Sequence, residues 1–127
     1  MSKREIHDHR VNGLNESINI HVLDEPGQGG ACHHYVIEPI AQDHPQGAIN
    51  PVEIKFQNGP IKDFGVNGTS QEALAAVIID RLRSFQAGPY ACRDNDKALA
   101  CFEEGMMWLQ KRTRERMARG VEGTNVK

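Results

Sequence analysis

The chain has 127 residues, 39% hydrophobic and 25% charged, with a net charge of −2; this is one domain's worth of polypeptide, too short for two independent cores and too apolar for wholesale disorder. No apolar run approaches the roughly 20 residues of a bilayer span, and no apolar segment follows the charged first five residues as in a secretory leader, so a cytoplasmic protein is expected. A pI near 6.3 argues against a general nucleic-acid coat, and the odd, widely spaced set Cys32, Cys92 and Cys101 fits reduced thiols better than a disulfide frame.

Residues 1–12 are polar and aperiodic and are expected to form a disordered arm. Two β-prone runs, 18–23 and 34–37, flank Asp24-Glu25-Pro26-Gly27-Gln28-Gly29-Gly30, a stretch of strong turn chemistry. A Pro/Gly-rich connection over 42–51 leads to 52–56, whose apolar and polar residues alternate as in a half-buried strand. Asn58-Gly59 suits a tight hairpin turn, after which a late-starting or edge strand is expected over 61–66, since Pro60 lacks an N–H.

Thr69-Ser70-Gln71-Glu72 has the spacing of a capping box and opens a helix whose apolar stripe is Leu74, Val77, Ile78, Leu82 and Phe85, closed by Gly88-Pro89. A second helix is expected from about Asp94-Asn95-Asp96, with Ala98, Leu99, Phe102, Met106 and Leu109 facing inward. Its stripe fades after Leu109 while helix-forming residues continue to about Arg119. The architecture is therefore α+β: one domain over 13–127, with a small N-terminal antiparallel sheet (13–68), a C-terminal two-helix hairpin (69–119) and a tail (120–127). So few elements make a meagre core, and assembly into an oligomer is the expected remedy. Gly105, mid-helix at a cost of about 1 kcal/mol relative to alanine, suggests close backbone approach within the hairpin or between subunits.

Charge is segregated. Residues 1–68 carry five Lys/Arg against nine Asp/Glu, residues 69–127 ten against eight, and 111–119 five against the single acid Glu115. Arg112, Arg116 and Arg119 are spaced four and three apart, so their guanidiniums share one helix face while Arg114 points elsewhere. Such a row of planar donors suits phosphate oxygens; it equally suits a solvated helix end that offsets its own dipole and pairs with Glu115 or Glu122. Phe85 fits core packing or stacking on a base, and Asn95 a helix cap or a hydrogen bond to a base edge or ribose.

The other chemistry-bearing residues form no recognisable machinery. Cys32-His33-His34 puts neighbouring side chains on opposite faces of a strand and lacks a second ligand pair, Gly27-Gln28-Gly29-Gly30 lacks the Lys-Ser/Thr of a phosphate loop, and adjacent Glu103 and Glu104 diverge on their helix. No catalytic residue and no metal ligand is expected.

Several strings in order, Phe56-Gln57-Asn58-Gly59-Pro60, Gly65-Val66-Asn67-Gly68, Ala91-Cys92-Arg93-Asp94-Asn95, Met107-Trp108-Leu109 and Ala118-Arg119-Gly120-Val121-Glu122-Gly123-Thr124, closely resemble the phage Thoeris anti-defence 1 family over about residues 52–124. The hairpin is also similar to that of the anti-CBASS sponge family, which binds cyclic dinucleotides. The resemblance implies a non-enzymatic, cofactor-free protein that sequesters glycocyclic ADP-ribose, the signal of TIR-domain defence proteins, without transforming it. It further implies a homo-oligomer, either a dimer or a hexamer built as a trimer of dimers, and in some hexameric members a separate site for cyclic trinucleotides. Carried over by motif, Phe85 would stack on adenine, Asn95 would bond near the base or ribose, and Arg112 and Arg116 would grip the diphosphate. Arg93, Trp108, Arg119 and Lys62 are further candidate contacts. A basic contact from the sheet side is implied too, but residues 52–66 contain no arginine, which leaves Lys55 and Lys62. The alternatives are a small DNA-binding regulator using the Arg-rich helix, disfavoured by the net charge and by the lack of a helix-turn-helix spacing, and a phosphodiesterase, which lacks a nucleophile or metal set.

Overall fold

Period-two alternation organises the N-terminal part. The computed structural model describes residues 4–40 and 49–127, and in it four strands pair in sequence order as an antiparallel sheet: β1 Arg4–Ile6, β2 Ile18–Val22, β3 His34–Pro39 and β4 Val52–Lys55. Directly opposed residues share a face, and the register sets Ile6 against Ile20, Ile20 against Ile37, Val22 against Tyr35 and Tyr35 against Ile54. These side chains make one apolar face, on which Val22 is 1% exposed and Tyr35 meets Phe56 edge-on. The opposite face carries Glu5, His21, His34, Glu53 and Lys55; there His34 hydrogen-bonds Glu53 at 2.7 Å, which holds the Glu53 carboxyl below its ordinary range. The turn after β2 is built on Asp24, whose carboxylate accepts from the backbone N–H of His33 and of His34.

Two expectations are corrected here. Residues 4–6 are an edge strand rather than part of a disordered arm, because Arg4, Glu5 and Ile6 find a ladder partner in β2; the short helix α1, Gly13–Glu16, follows, capped by the Asn12 side chain. Residues 61–66 form no returning strand. Pro60, with φ −66°, begins the helical turn α2, Ile61–Phe64, and Gly65 leaves it at φ +69°. A fixed φ and a missing N–H suit the start of a helix as well as they suit a sheet edge. The chain then returns to the sheet at Asn67, whose side chain bonds the backbone of Asn58 in both directions, and Phe56 bridges Thr69 in parallel. Gly68 is obligatory at this crossing: a Cβ there would lie 2.5 Å from the Phe56 carbonyl carbon. The connection expected over 42–51 falls mostly outside the described residues.

The chain divides into two compact units where one domain was expected: Met1–Gly59 with Val66–Thr69, and Pro60–Gly65 with Ser70–Lys127. The second holds the hairpin, α3 Gln71–Gln86 and α4 Arg93–Ala118. Ser70 rather than Thr69 caps α3, accepting from Ala73 N–H. Cys92, not Asp94, caps α4. Ala87 closes α3 with ordinary helical dihedrals, so Gly88 supplies no left-handed cap. The arginine-glutamate pair Arg83–Glu103, at 2.8 Å, ties the two helices on their outer side.

Ile79 is the buried apolar residue of the pair, while Val77, Ile78, Phe102, Met107 and Trp108 remain exposed. The apolar arc of α3 is thus wider than the strip that α4 covers, and Val77 and Ile78, expected in the core, face outward. Gly105 is exposed and a Cβ there would meet nothing within 4 Å, so close approach within the hairpin does not account for it.

Candidate functional site

The hairpin presents two different ends. At the first, the C-terminal half of α3 and the turn behind it enclose an open cleft of about 570 Å³, lined by Val77, Asp80, Arg81, Ser84, Phe85 and the turn residues Gly88-Pro89-Tyr90. Phe85 is half-buried, and the Arg81 guanidinium, one turn earlier, lies over its ring at 5.0 Å from the centroid. Gln86 fixes the turn by bonding both the N–H and the C=O of Cys92 through its side-chain amide. Three residues into α4 stands Asn95, its backbone N–H donated to the Cys92 sulfur at 3.4 Å and its side-chain amide without a partner among the described residues. Arg93 opens the same helix, exposed.

The second end is the basic end of α4, and its arginines divide sharply. Arg112 is exposed and makes no hydrogen bond or ion pair among the described residues. Arg116, one turn on, is 7% exposed. Its Nε donates to Glu122 at 3.0 Å, its Nη2 to the carbonyls of Val121 and Thr124, and its Nη1 to the carbonyl of Val126. Four of five N–H groups are therefore engaged by residues 121–126.

The tail reaches them because α4 ends in a Schellman turn: Gly120 at φ +72° donates its N–H to Met117 O, and Val121 donates to Arg116 O. Gly123 completes the fold-back, lying so close to Ile61 of α2 that a Cβ would approach it to 2.9 Å, and its carbonyl accepts from Lys62 N–H. Lys62 therefore belongs to the helical unit beside the tail, not to the sheet. Lys55 stays on the sheet, beside a small cavity with Asp24, His33 and Asn58.

Around this end Lys111 binds Glu115, and the bonded ammonium, with Arg119 beyond it, holds the Glu115 carboxyl below its ordinary range. Trp108, 55% exposed, bonds Glu104 through its ring N–H and lies under the Lys111 ammonium. Arg119 and Arg114 are exposed, Arg114 on a separate concavity with Glu72 and Gln110.

The two ends lie far apart within one chain. Asn95 and Arg112 are 17 residues apart on one continuous helix, which at 1.5 Å per residue is about 25 Å, well beyond the reach of one nucleotide. One copy places Phe85 in the cleft, with Asn95 at the start of α4 outside the cleft's lining, and, separately, Arg112 and Arg116 at the far end of α4. Arg81 and Tyr90 were not singled out from the sequence, although Arg81 stands four residues before Phe85 on a helix and Tyr90 directly follows the Gly-Pro stop. The tail's grip on Arg116 was readable only as the possible pairing with Glu122.

The profile of the Acb2/Tad1 hairpin domain matches residues 48–114, which include α2, α3 and most of α4. The chain belongs to this family. Among curated proteins, Thoeris anti-defense 1 of Bacillus phage SBSphiJ7 is 49% identical to it over 74 residues, which cover 58% of this chain and 52% of that protein. The chain thus spans about half the length of the curated relative it matches. The family match takes in most of the hairpin, the element that carries both ends of the candidate site. None of its helices, among the described residues, is long and apolar enough to cross a membrane.

Proposed function

We propose that this protein is a non-catalytic, phage-encoded anti-Thoeris factor that binds glycocyclic ADP-ribose and withholds it from its effector. The observation that carries the reading is the 49% identity over 74 residues to a Thoeris anti-defense protein, beside the family match over 48–114, which takes in an aromatic cleft and an unpaired Arg112. The ligand sits between two copies: Phe85 stacks on adenine and Asn95 bonds near the base or ribose in one copy, while the partner's basic end meets the diphosphate. Arg112 is the principal phosphate donor. Arg116 contributes its remaining N–H and holds the tail in place, with Arg119, Arg93, Trp108 and Lys62 at the margin. The exposed apolar residues of α3 and α4 supply the subunit contact, in a dimer or a hexamer of three dimers. A hexamer would leave room for a second, cyclic-trinucleotide site.

The test is native mass spectrometry of the intact protein with and without glycocyclic ADP-ribose, followed by heat release of the bound nucleotide. The expected result is an oligomer that takes up ligand in a fixed ratio per pair of chains and returns it unchanged. A monomer of 14.2 kDa, or recovery of a hydrolysed product, would overturn the reading.

A further inference from the structure

A base held firmly by stacking lies between two planes, and Phe85 provides one. Tyr90 lines the same cleft and is 76% exposed, so its ring is not part of the hairpin's core. The two rings do not touch: among the described residues the ring pair in contact is Tyr35 with Phe56. A planar base with normal contact on both sides needs about 7 Å between its walls, and the cleft's volume of about 570 Å³ lies in the range of small-molecule sites. The Tyr90 backbone is carried by the turn that Gln86 ties to Cys92, which limits the entropy lost when the ring closes on a ligand. Arg81 lines the same cleft, lies over the Phe85 ring at 5.0 Å and has no carboxylate partner among the described residues; the ring is what engages it.

We infer that the cleft is a two-walled nucleobase clamp, in which Tyr90 is the second stacking surface and Arg81 is the positioning residue that holds Phe85 in its stacking orientation. The inference rests on the functional reading above and names the side chains that grip the base in that same site.

Calorimetric titration of the intact protein with glycocyclic ADP-ribose tests it. Tyr90→Ala should weaken binding by roughly 5- to 150-fold, the worth of one base–aromatic stack, while Tyr90→Phe, which keeps the ring, should bind like wild type. Arg81→Gln should weaken it by about 2- to 5-fold, with Arg81→Lys restoring most of the loss. Both residues are exposed, so the melting temperature should not move. If wild type fails to bind, the functional reading falls and the clamp with it. If wild type binds and Tyr90→Ala binds equally well, the clamp is wrong and the reading stands. Equal weakening by Tyr90→Phe would reassign Tyr90 to a hydroxyl contact, and loss of oligomer mass by Tyr90→Ala without ligand would reassign the cleft to subunit packing. Either result overturns the clamp, and an Arg81→Gln variant that binds normally removes Arg81 from it.

Discussion

At the aromatic end of the hairpin, Phe85 and Tyr90 line an open cleft, and Asn95, at the start of the next helix, keeps a side-chain amide without a partner among the described residues. At the basic end, Arg116 has filled four of its five donors with the chain's own carboxylate and carbonyls, while Arg112, four residues earlier on the same helix, has filled none among the described residues. The spacing of the two arginines would suit a single receptor for phosphate, yet their surroundings make one a structural bolt and leave the other without a partner among the described residues. The difference shows that a row of like residues on one helix face is not a uniform surface: what the following segment does with its carbonyls decides which members remain available. It also separates stability from binding, so substitutions at the two ends should act on different measurements.

The largest expected effect is on stability. Arg116→Ala would remove the guanidinium from the Glu122 carboxylate and from the carbonyls of Val121, Thr124 and Val126, and should cost about 3 kcal/mol in denaturant unfolding, given the worth of charge-assisted bonds at a largely buried site. Limited proteolysis should then cut the released tail within 120–127. An unchanged midpoint would show that the tail is held by Gly120 and Gly123 alone. The matching substitution at the other arginine should do the reverse. Arg112→Ala should leave the unfolding midpoint unchanged and weaken binding of glycocyclic ADP-ribose by roughly 10- to 150-fold. Were Arg112→Ala to destabilise and Arg116→Ala to leave folding intact, the comparison between the two residues would be inverted.

Much of this was legible before the fold was known, for physical reasons that also explain the failures. Alternation over 52–56 and the β-prone runs at 18–23 and 34–37 specify strands because a one-residue slip would expose an entire apolar face. Helical spacing around Leu74 and Leu99 specifies the hairpin. Residues 61–66 were misread because Pro60 is compatible with a strand edge and with a helix start, and the choice is made at a distance, by Asn67 returning to bond Asn58 and by Gly68 admitting the Phe56 backbone. Val77 and Ile78 show the limit of periodicity: it reports an apolar arc, not how much of that arc the same chain covers. In the candidate site, the residue types were readable at Phe85, Asn95 and Arg112. The burial of Arg116 was not, since it depends on the path of a polar tail whose one strong signal is the left-handed cap at Gly120.

A smaller effect separates the hairpin's own needs from those of assembly. Gly105 lies in a helix with open space around its Cα, so Gly105→Ala should stabilise an isolated chain by about 1 kcal/mol through helix propensity alone. If a second copy packs its backbone against this position, the same substitution should weaken the oligomer. Sedimentation across a dilution series would then show dissociation at higher protein concentration than in wild type, while the melt of the dissociated chain rises. A stabilised chain with unchanged assembly would place the subunit contact elsewhere on the exposed apolar face.

The smallest effect concerns the one acid among the basic residues. Glu115 bonds Lys111, four residues before it, and this pairing keeps it from Arg112, which lies three residues before it on the same face. Because the bonded ammonium lowers the Glu115 pKa in the folded chain, the unfolded chain binds the proton more readily. The pair's contribution is therefore present at neutral pH and fades as pH falls below the ordinary carboxylate range of about 4. In a carboxyl-carbon NMR titration Glu115 should show a midpoint below that range, and Lys111→Met should raise it. With Lys111 gone, the carboxylate becomes available to Arg112, and a solvent-exposed pair of that kind is weak, so ligand binding at pH 7 should weaken by no more than about 2-fold. Lowering the pH to about 3 should remove most of that deficit in Lys111→Met as Glu115 protonates. A deficit that persists undiminished at about pH 3 would mean that the Lys111 ammonium itself contacts the ligand, and that the basic end offers the diphosphate a lysine as well as Arg112.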